Sequence, residues 1–419
     1  PAPSAPGPEA EPEPPAPPPR SITGMFFTRY ELRDGYARLG KTTPFQRLYD
    51  TDGVAYRARL GLKTAAIDLG DGWSSYVYFE PQGSGLIDTS GSLADPNMGM
   101  HQGALTLVAP AYSLQVGRFE MAYGEHLIIG SVPWHQTGRA FDGARLHIAP
   151  DKEGPWGDLF ITLIDEGADG LTNRAIGAAD HYFAGTYLGL GPALGDLDLD
   201  AYLLSRFWLG GTVEQEMMTS TTVDPAAEMT LGSRLKGAAG VVDYRAEAGV
   251  QFGARKPNAS ADPTDVFAFQ VDGELGVKPV DALRLAAHGW YASGDDPTDD
   301  DGTNNAWAQL YPTAHKFMGL SDVMGARSNL AGGALIINYA PAPSVKLTLD
   351  AQAFVRPEVA PGEVDNGYAA TEVDTGLVYA IGPGLIARAM YAILLPNEDV
   401  MGDSEPAHFL EVEVKQVIK

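Results

Sequence analysis

The chain has 419 residues, no cysteine, and 29 basic against 54 acidic residues, for a formal net charge of -25. Without cysteine there is no disulfide, thiolate metal site or cysteine nucleophile, and a polyanion of this size repels nucleic acid. No run of about 18 apolar residues occurs, so no transmembrane helix is present, and a membrane-spanning form would have to be a closed β-barrel.

The chain opens on Pro1 and Ala2 without a basic start or apolar segment, and reads as a mature form whose leader has been removed. Residues 1–21 are Pro, Ala and Glu almost throughout and are expected to be a disordered or polyproline-like tail, a linker on the periplasmic side. Residues 22–419 are expected to form one domain.

From Ile22 onward the dominant period is two. Val54, Tyr56, Ala58, Leu60 and Leu62 share one face, with Ala55, Arg57, Arg59, Gly61 and Lys63 on the other. The same alternation recurs over 244–255 and 345–356. Such strands fit a membrane barrel or a soluble sheet with one wet face. We read about 18 strands, at 22–33, 54–68, 73–80, 101–109, 111–118, 140–149, 157–164, 179–190, 195–209, 227–236, 239–254, 263–278, 279–292, 330–340, 343–357, 366–381, 384–395 and 407–418.

Connection lengths separate the two folds. Short links carry Gly and Pro, as at 70–72, 191–195, 237–240, 341–343 and 382–384. Long links at 34–53, 81–100, 119–139, 165–178, 210–226, 293–329 and 396–406 carry the acidic and polar residues. Long and short alternate, as in an all-β, transmembrane, antiparallel up-and-down barrel with long extracellular loops and short periplasmic turns. An even strand count puts both termini in the periplasm.

Two segments then point to a family. The first runs Gly117-Arg118-Phe119-Glu120, Tyr123-Gly124, Ile129-Gly130, Trp134 and Gly138-Arg139-Ala140-Phe141-Asp142-Gly143-Ala144-Arg145-Leu146. The second runs Ala292-Ser293-Gly294-Asp295-Asp296, Leu310-Tyr311-Pro312, His315, Gly319, Asp322 and Asn329-Leu330. Both resemble the alginate-export family of outer-membrane porins. The resemblance implies an eighteen-stranded barrel in a Gram-negative outer membrane that lets an acidic polysaccharide leave by diffusion past inward-facing Arg and Lys. It places Arg118, Arg139, Arg145 and the 293–329 loop near the pore.

Parity assigns further basic residues to the lumen: Arg29, Arg33, Arg57, Arg59, Lys63, Arg145, Arg206, Arg245, Arg255, Arg284, Lys346, Arg356 and Arg388. Inward acids include Glu31, Asp198, Asp200, Glu247, Asp272, Glu274, Asp350, Glu372, Asp374, Glu411 and Glu413. Two roles compete. The arginines either form weak sites for carboxylate sugars, which their forked geometry suits, or pair with the inward acids and brace the wall. Arg57, Arg59 and Lys63 are assigned to the pore because no acid shares their strand face, so reversing Arg57 and Arg59 to Glu is expected to shift selectivity toward cations.

Tyr187 and Tyr202 face inward by parity and are candidates for stacking on sugar rings; other aromatics suit the interfacial girdles. Asp295, Asp296, Asp299 and Asp301 could hold a calcium ion, although the run is no EF-hand and a solvated acidic loop is the plainer reading. No other cofactor is expected.

Enzyme motifs are missing, so catalysis is not expected. Expected partners are the polymer, outer-membrane lipid and lipopolysaccharide, and periplasmic scaffold or export proteins, around a monomeric barrel. Two other functions remain open: an uptake porin for small carboxylates or sugars, and a structural or adhesive barrel.

Overall fold

The fold is that of a computed structural model, which describes residues 21–39, 48–88, 93–151, 153–165, 180–191, 197–215, 219–258, 261–299, 301–359 and 367–418. The tail expected over 1–21 lies almost wholly outside these residues.

Alternating polarity makes each strand two-faced, and the only way to keep lipid off the polar face is to close the sheet on itself. The main sheet has 20 strands, of which two short ones are appendages: Ile67–Gly70, and Thr303–Asn304, which pairs in parallel; Gly211–Gln215 and Thr219–Val223 form a separate two-stranded sheet. The other eighteen close the barrel: β1 (Ser21–Asp34), β2 (Thr51–Lys63), β3 (Trp73–Asp88), β4 (Leu93–Val108), β5 (Tyr112–Phe119), β6 (Phe141–Ile148), β7 (Trp156–Asp165), β8 (His181–Gly189) and β9 (Asp198–Trp208). They continue with β10 (Ala226–Ala239), β11 (Val242–Arg255), β12 (Thr264–Val280), β13 (Leu283–Ala292), β14 (Leu330–Ala342), β15 (Val345–Val355), β16 (Tyr368–Gly382), β17 (Leu385–Pro396) and β18 (Ala407–Ile418). Each strand pairs with its sequence neighbours, and β1 pairs with β18 from Gly24↔Ile418 to Asp34↔His408. Among the described residues the barrel wall has no free edge for another chain to extend.

The outer face is apolar: Phe26, Leu60, Phe79, Ile161, Leu203, Leu231, Phe267, Leu335, Leu349 and Val414 are all exposed there. Their strand neighbours of opposite parity, such as Arg57, Glu80, Thr162, Glu247 and Glu372, are buried inside. One end carries short connections, including β10–β11, β12–β13, β14–β15 and β16–β17, and both described termini lie there, because Ser21 faces Lys63 and Ile418 faces Gly24. The other end carries the long loops.

Three boundaries differ from the sequence reading. Strand β2 stops at Lys63, and Ile67–Gly70 forms a separate short pairing with the start of β3. Most of the expected 81–100 loop is instead a long hairpin of β3 and β4, with Pro81 opposite Met100 and Ser84 opposite Asn97. Pro81 has no N–H to give the ladder, and the register shifts there, between Glu80 and Pro81, so the strand continues past a residue that reads as a stop. Third, 256–263 and 356–367 are outer connections of their own, which the alternation of long and short links had not singled out.

Leu349 sits outward at the middle of β15. Leu349→Arg is expected to cost roughly 2–4 kcal/mol of folding stability, the depth-dependent cost of a cation at the lipid midplane, measured by denaturant titration of the protein refolded into lipid vesicles. An unchanged midpoint would mean that this face does not meet lipid.

Candidate functional site: the lumen and its two inward loops

The 120–140 loop and the 293–329 loop turn into the barrel and join. Ile129 and Tyr311 form a parallel bridge. Gly130 N donates to Tyr311 O (2.8 Å), Tyr311 N to Ile128 O (3.0 Å) and Thr313 N to His126 O (2.9 Å). Both loops bring apolar side chains to one buried cluster: Met121, Leu127, Ile128 and Ile129 from the first, Trp307, Phe317, Met318 and Val323 from the second. Wall residues Phe119, Phe141, Phe183 and Leu204 complete it. These side chains leave water as the loops fold in, and burying each is worth about 1.5–3 kcal/mol. Gly130 is required at the junction, since a Cβ there would lie 2.3 Å from Thr313 Oγ1.

Loop backbone inside a barrel lacks ladder partners, and wall side chains supply them. Arg57 is 1% exposed and donates to His135 O (2.5 Å) and Pro133 O (2.7 Å). Arg29 donates to Trp134 O (2.8 Å), and Arg59 to Thr137 O (3.2 Å) and Glu120 (2.9 Å). The second loop is held by acceptors and amides. Glu372, fully buried, accepts Ser321 N (2.9 Å) and Oγ (2.5 Å), and Asp374 accepts Leu320 N (3.2 Å). Gln251 exchanges two 2.8 Å bonds with the Ala308 backbone, as a neighbouring strand would. Arg327 of the loop pairs with wall Asp272 at 2.6 Å, both fully buried. Arg139 clips one loop to the other, donating to Gly130 O (3.0 Å), Pro312 O (2.8 Å) and Tyr311 O.

Most predicted lumen arginines face inward and meet acids. Arg206 and Arg255 share Glu228, the first at 2.6 Å. Arg245 pairs with Asp272 and Glu274, Arg284 with Asp243 and Glu274, and Arg388 with Glu411 (2.5 Å) and Glu413 (3.3 Å). Arg145 contacts Gln115 at 2.8 Å. Lys63 lies 3.8 Å over the Tyr76 ring near the short-turn end. Lys346 is exposed at that end, and Arg356 lines a cavity among the long loops.

Several assignments need correction. Arg118 is 45% exposed on the outward face of β5 and pairs with outward Asp142 at 3.4 Å, so it does not line the lumen. The motif's proximity to the pore holds for its neighbours, but parity turns this side chain out. Arg57 and Arg59 are not an open basic ring: Arg57 is taken up by loop carbonyls, which a count of acids misses, and Arg59 by Thr137 O, Gln82 and Glu120, an acid of the loop rather than of its own strand face. Tyr187 and Tyr202 do face inward, but each is 2% exposed. Tyr123 stacks on Tyr187 with ring centroids 4.3 Å apart, and the tyrosine hydroxyls donate to Asp200 (2.6 Å) and Glu247 (3.2 Å). Neither offers an open ring for a sugar.

The aspartates proposed for calcium do not converge. Asp295 accepts Asn305 N, Asp296 accepts Thr298 N and Oγ1, and Asp301 accepts Thr303 N, all within their own loop. Among the described residues, no three His, Asp or Glu groups come together as a metal site.

Sequence reasoning missed Tyr123, Trp134 and Trp307 as lumen residues. Trp134 stacks on His315 at 3.9 Å and donates to Glu411 at 2.7 Å. The available signal was their apolar character within segments otherwise read as solvated loops. It also missed the charge latch at the loop tips, where Glu125 meets Lys236 (2.6 Å) and Lys316 (2.9 Å). Burial pushes the Glu125 carboxyl up, but the two lysines outweigh it and hold it at about 2.

The sequence model for alginate export matches residues 101–369, a span that contains both inward loops. The chain belongs to the alginate export family. It is an outer-membrane β-barrel porin of a Gram-negative bacterium. Among solved structures it is similar to OccK5 (OpdH) of Pseudomonas aeruginosa, at 15% identity and a TM-score of 0.64, covering 96% of this chain and 98% of that one. It is also similar to a BenF-like porin from Pseudomonas fluorescens Pf-5, at 11% identity, TM-score 0.65 and coverage of 95% and 98%. A third is Pseudomonas aeruginosa OccK2 (OpdF) in complex with glucuronate, at 12% identity, TM-score 0.65 and the same coverage. These likenesses establish the fold. No curated protein matches the chain.

Hydrogen bonds from a charged group are worth about 1.5–3 kcal/mol each, so Arg139→Ala is expected to loosen the paired loops and give higher, noisier single-channel conductance. Wild-type conductance and noise would show that the loops hold together without the clip. Arg57→Glu with Arg59→Glu is expected to free the 120–140 loop as well as change selectivity. Glu125 is depressed below its ordinary 4.5, so its latch is at full strength above that pH and is lost as pH falls toward about 2.

Proposed function

We propose that this porin is a passive channel for export of an acidic polysaccharide, working without ATP or cofactor. The observation that carries this reading is the family match, which spans the two inward loops and the strands between them. The lumen chemistry is consistent with it. Arginines already shared between two carboxylates, such as Arg388 with Glu411 and Glu413, can exchange one for a sugar carboxylate at little net cost. A ladder of such exchanges gives many weak sites, which transport requires. In this reading the short-turn end, with both termini, faces the periplasm, where synthesis and scaffold proteins deliver the polymer.

One observation favours uptake of small carboxylates instead. The described lumen is crossed by the paired loops, and the spaces left are of small-molecule size. The cavity at the short-turn end beside Lys236, Arg245, Arg284 and Lys316 measures about 570 Å³, within the range of sites for single small ligands.

Planar-bilayer recording separates these. Under export, tetragalacturonate and longer polyuronates are expected to block the current from the short-turn side, with block strengthening as chains lengthen. A high, unselective conductance that polyuronate never blocks would overturn export. In the cell, gene deletion that removes surface polymer supports export; lost growth on a carboxylate carbon source supports uptake.

A further inference from the structure

We infer that the short-turn mouth carries a saccharide subsite in which Trp156 is the platform for one uronate ring and Arg145 the anchor for its carboxylate. The identity of the guest rests on the channel reading above; the site itself rests on geometry.

Trp156 opens β7 directly after the 149–155 turn and faces the lumen, since Asp158 and Phe160 on the same strand face are buried while Leu159 and Ile161 are exposed. It therefore does not belong to the lipid-facing girdle. Its indole lies flat across Gly189 of β8, where a Cβ would sit 2.2 Å from Nε1, so the wall is cleared to seat it.

Behind it runs a row of nearly parallel rings. Trp156 is 6.0 Å and 19° from Tyr187 and 6.3 Å and 23° from Tyr123, and Tyr187 is 5.7 Å and 11° from Tyr202. The tyrosines are buried, whereas Trp156, the member at the mouth, is only half-buried. Packing alone would favour burying it too.

The polar rim is also built. Asp158 is buried and accepts His147 Nδ1 and Tyr123 Oη, each at 2.6 Å. That leaves His147 40% exposed, its ring 5.7 Å from the indole. Arg145 is 26% exposed, and its nearest Asp158 oxygen is 3.9 Å away. A guanidinium has five donors, more than Gln115 and this distant carboxylate use.

Trp156, Arg145, His147 and Asp158 meet in a cavity of about 450 Å³, large enough for a sugar unit. A pyranose presents a C–H face and a polar rim. An indole face beside hydrogen-bonding groups matches both, and the Arg fork matches a carboxylate.

The test is a titration of the full chain, folded in detergent micelles, with tetragalacturonate, read by tryptophan fluorescence. The chain has six tryptophans, so the Trp156 signal is taken as the difference from Trp156→Phe. A saturable change is expected in the wild type and not in Trp156→Phe. Affinity should fall by about tenfold or more in Arg145→Gln and for neutral maltotetraose, the loss of one charged hydrogen bond. Binding itself is read by isothermal titration calorimetry, in which Trp156→Leu, without a ring, is expected to lose it and Trp156→Phe and Trp156→Tyr, which keep one, to retain it; migration of unheated samples on gels checks that each variant is folded.

No response in the wild type, the same response in folded Trp156→Phe, or equal affinity for maltotetraose would overturn the subsite. A wild type that conducts without responding overturns the subsite and leaves the channel. One that responds without conducting overturns the channel reading and leaves the site.

Discussion

Backbone that enters a barrel without forming a strand or helix must find hydrogen-bond partners inside, because a buried unpaired amide costs free energy comparable to a lost hydrogen bond. Two long loops here do enter, and the rest of the lumen is arranged around that demand. Carbonyls need donors and N–H groups need acceptors, so the wall's charges are sorted by loop. Arg29, Arg57 and Arg59 on β1 and β2 face the carbonyls of 133–137. Glu372 and Asp374 on β16 face the N–H groups of Leu320 and Ser321. Much of the lumen charge that would otherwise be ascribed to cargo is therefore scaffolding for the protein's own loops.

The same arrangement makes the loops one body. The backbone ladder between 126–130 and 311–313, the Arg139 clip and the shared apolar cluster all join them to each other. They also pack on the wall's part of that cluster, Phe119, Phe141, Phe183 and Leu204, and are tied to the wall by charged and amide contacts at separate points. Motion of one loop alone would break the backbone ladder and the Arg139 clip as well as its own wall contacts, whereas motion of both together breaks wall contacts only. Opening of this lumen is thus more economical as a displacement of the pair.

The barrel was largely legible in the sequence, because period-two polarity is imposed by lipid on one side and water or charge on the other, and every strand must obey it. Reading failed where a local rule was overridden by pairing. Pro81 and the glycines after it look like a loop, yet β2 and β4 on either side keep that stretch extended. The site was legible only in part. Parity gave the direction of Arg57, Tyr187 and Tyr202 but not their partners, which lie in a loop far away in sequence. The motif around Arg118 gave the neighbourhood but not the face. The missed cue was Leu127, Ile128 and Ile129 in succession inside a segment assigned to solvent; three adjacent aliphatics there call for a buried partner.

Tyr123 ties recognition to this loop geometry. It belongs to the 120–140 loop, yet its ring covers Tyr187 and its hydroxyl helps to fix Asp158, which in turn orients His147 beside Trp156. Inward of Trp156, the aromatic row is capped at Tyr187 by a residue of the loop. Displacing the loop would take Tyr123 off Tyr187 and extend the half-open face at the mouth toward it. It would also remove one of the two hydrogen bonds on Asp158, leaving that carboxylate to draw on Arg145. Under the proposed function, a sugar chain held at the mouth would thus be coupled, through one tyrosine, to the inward loop.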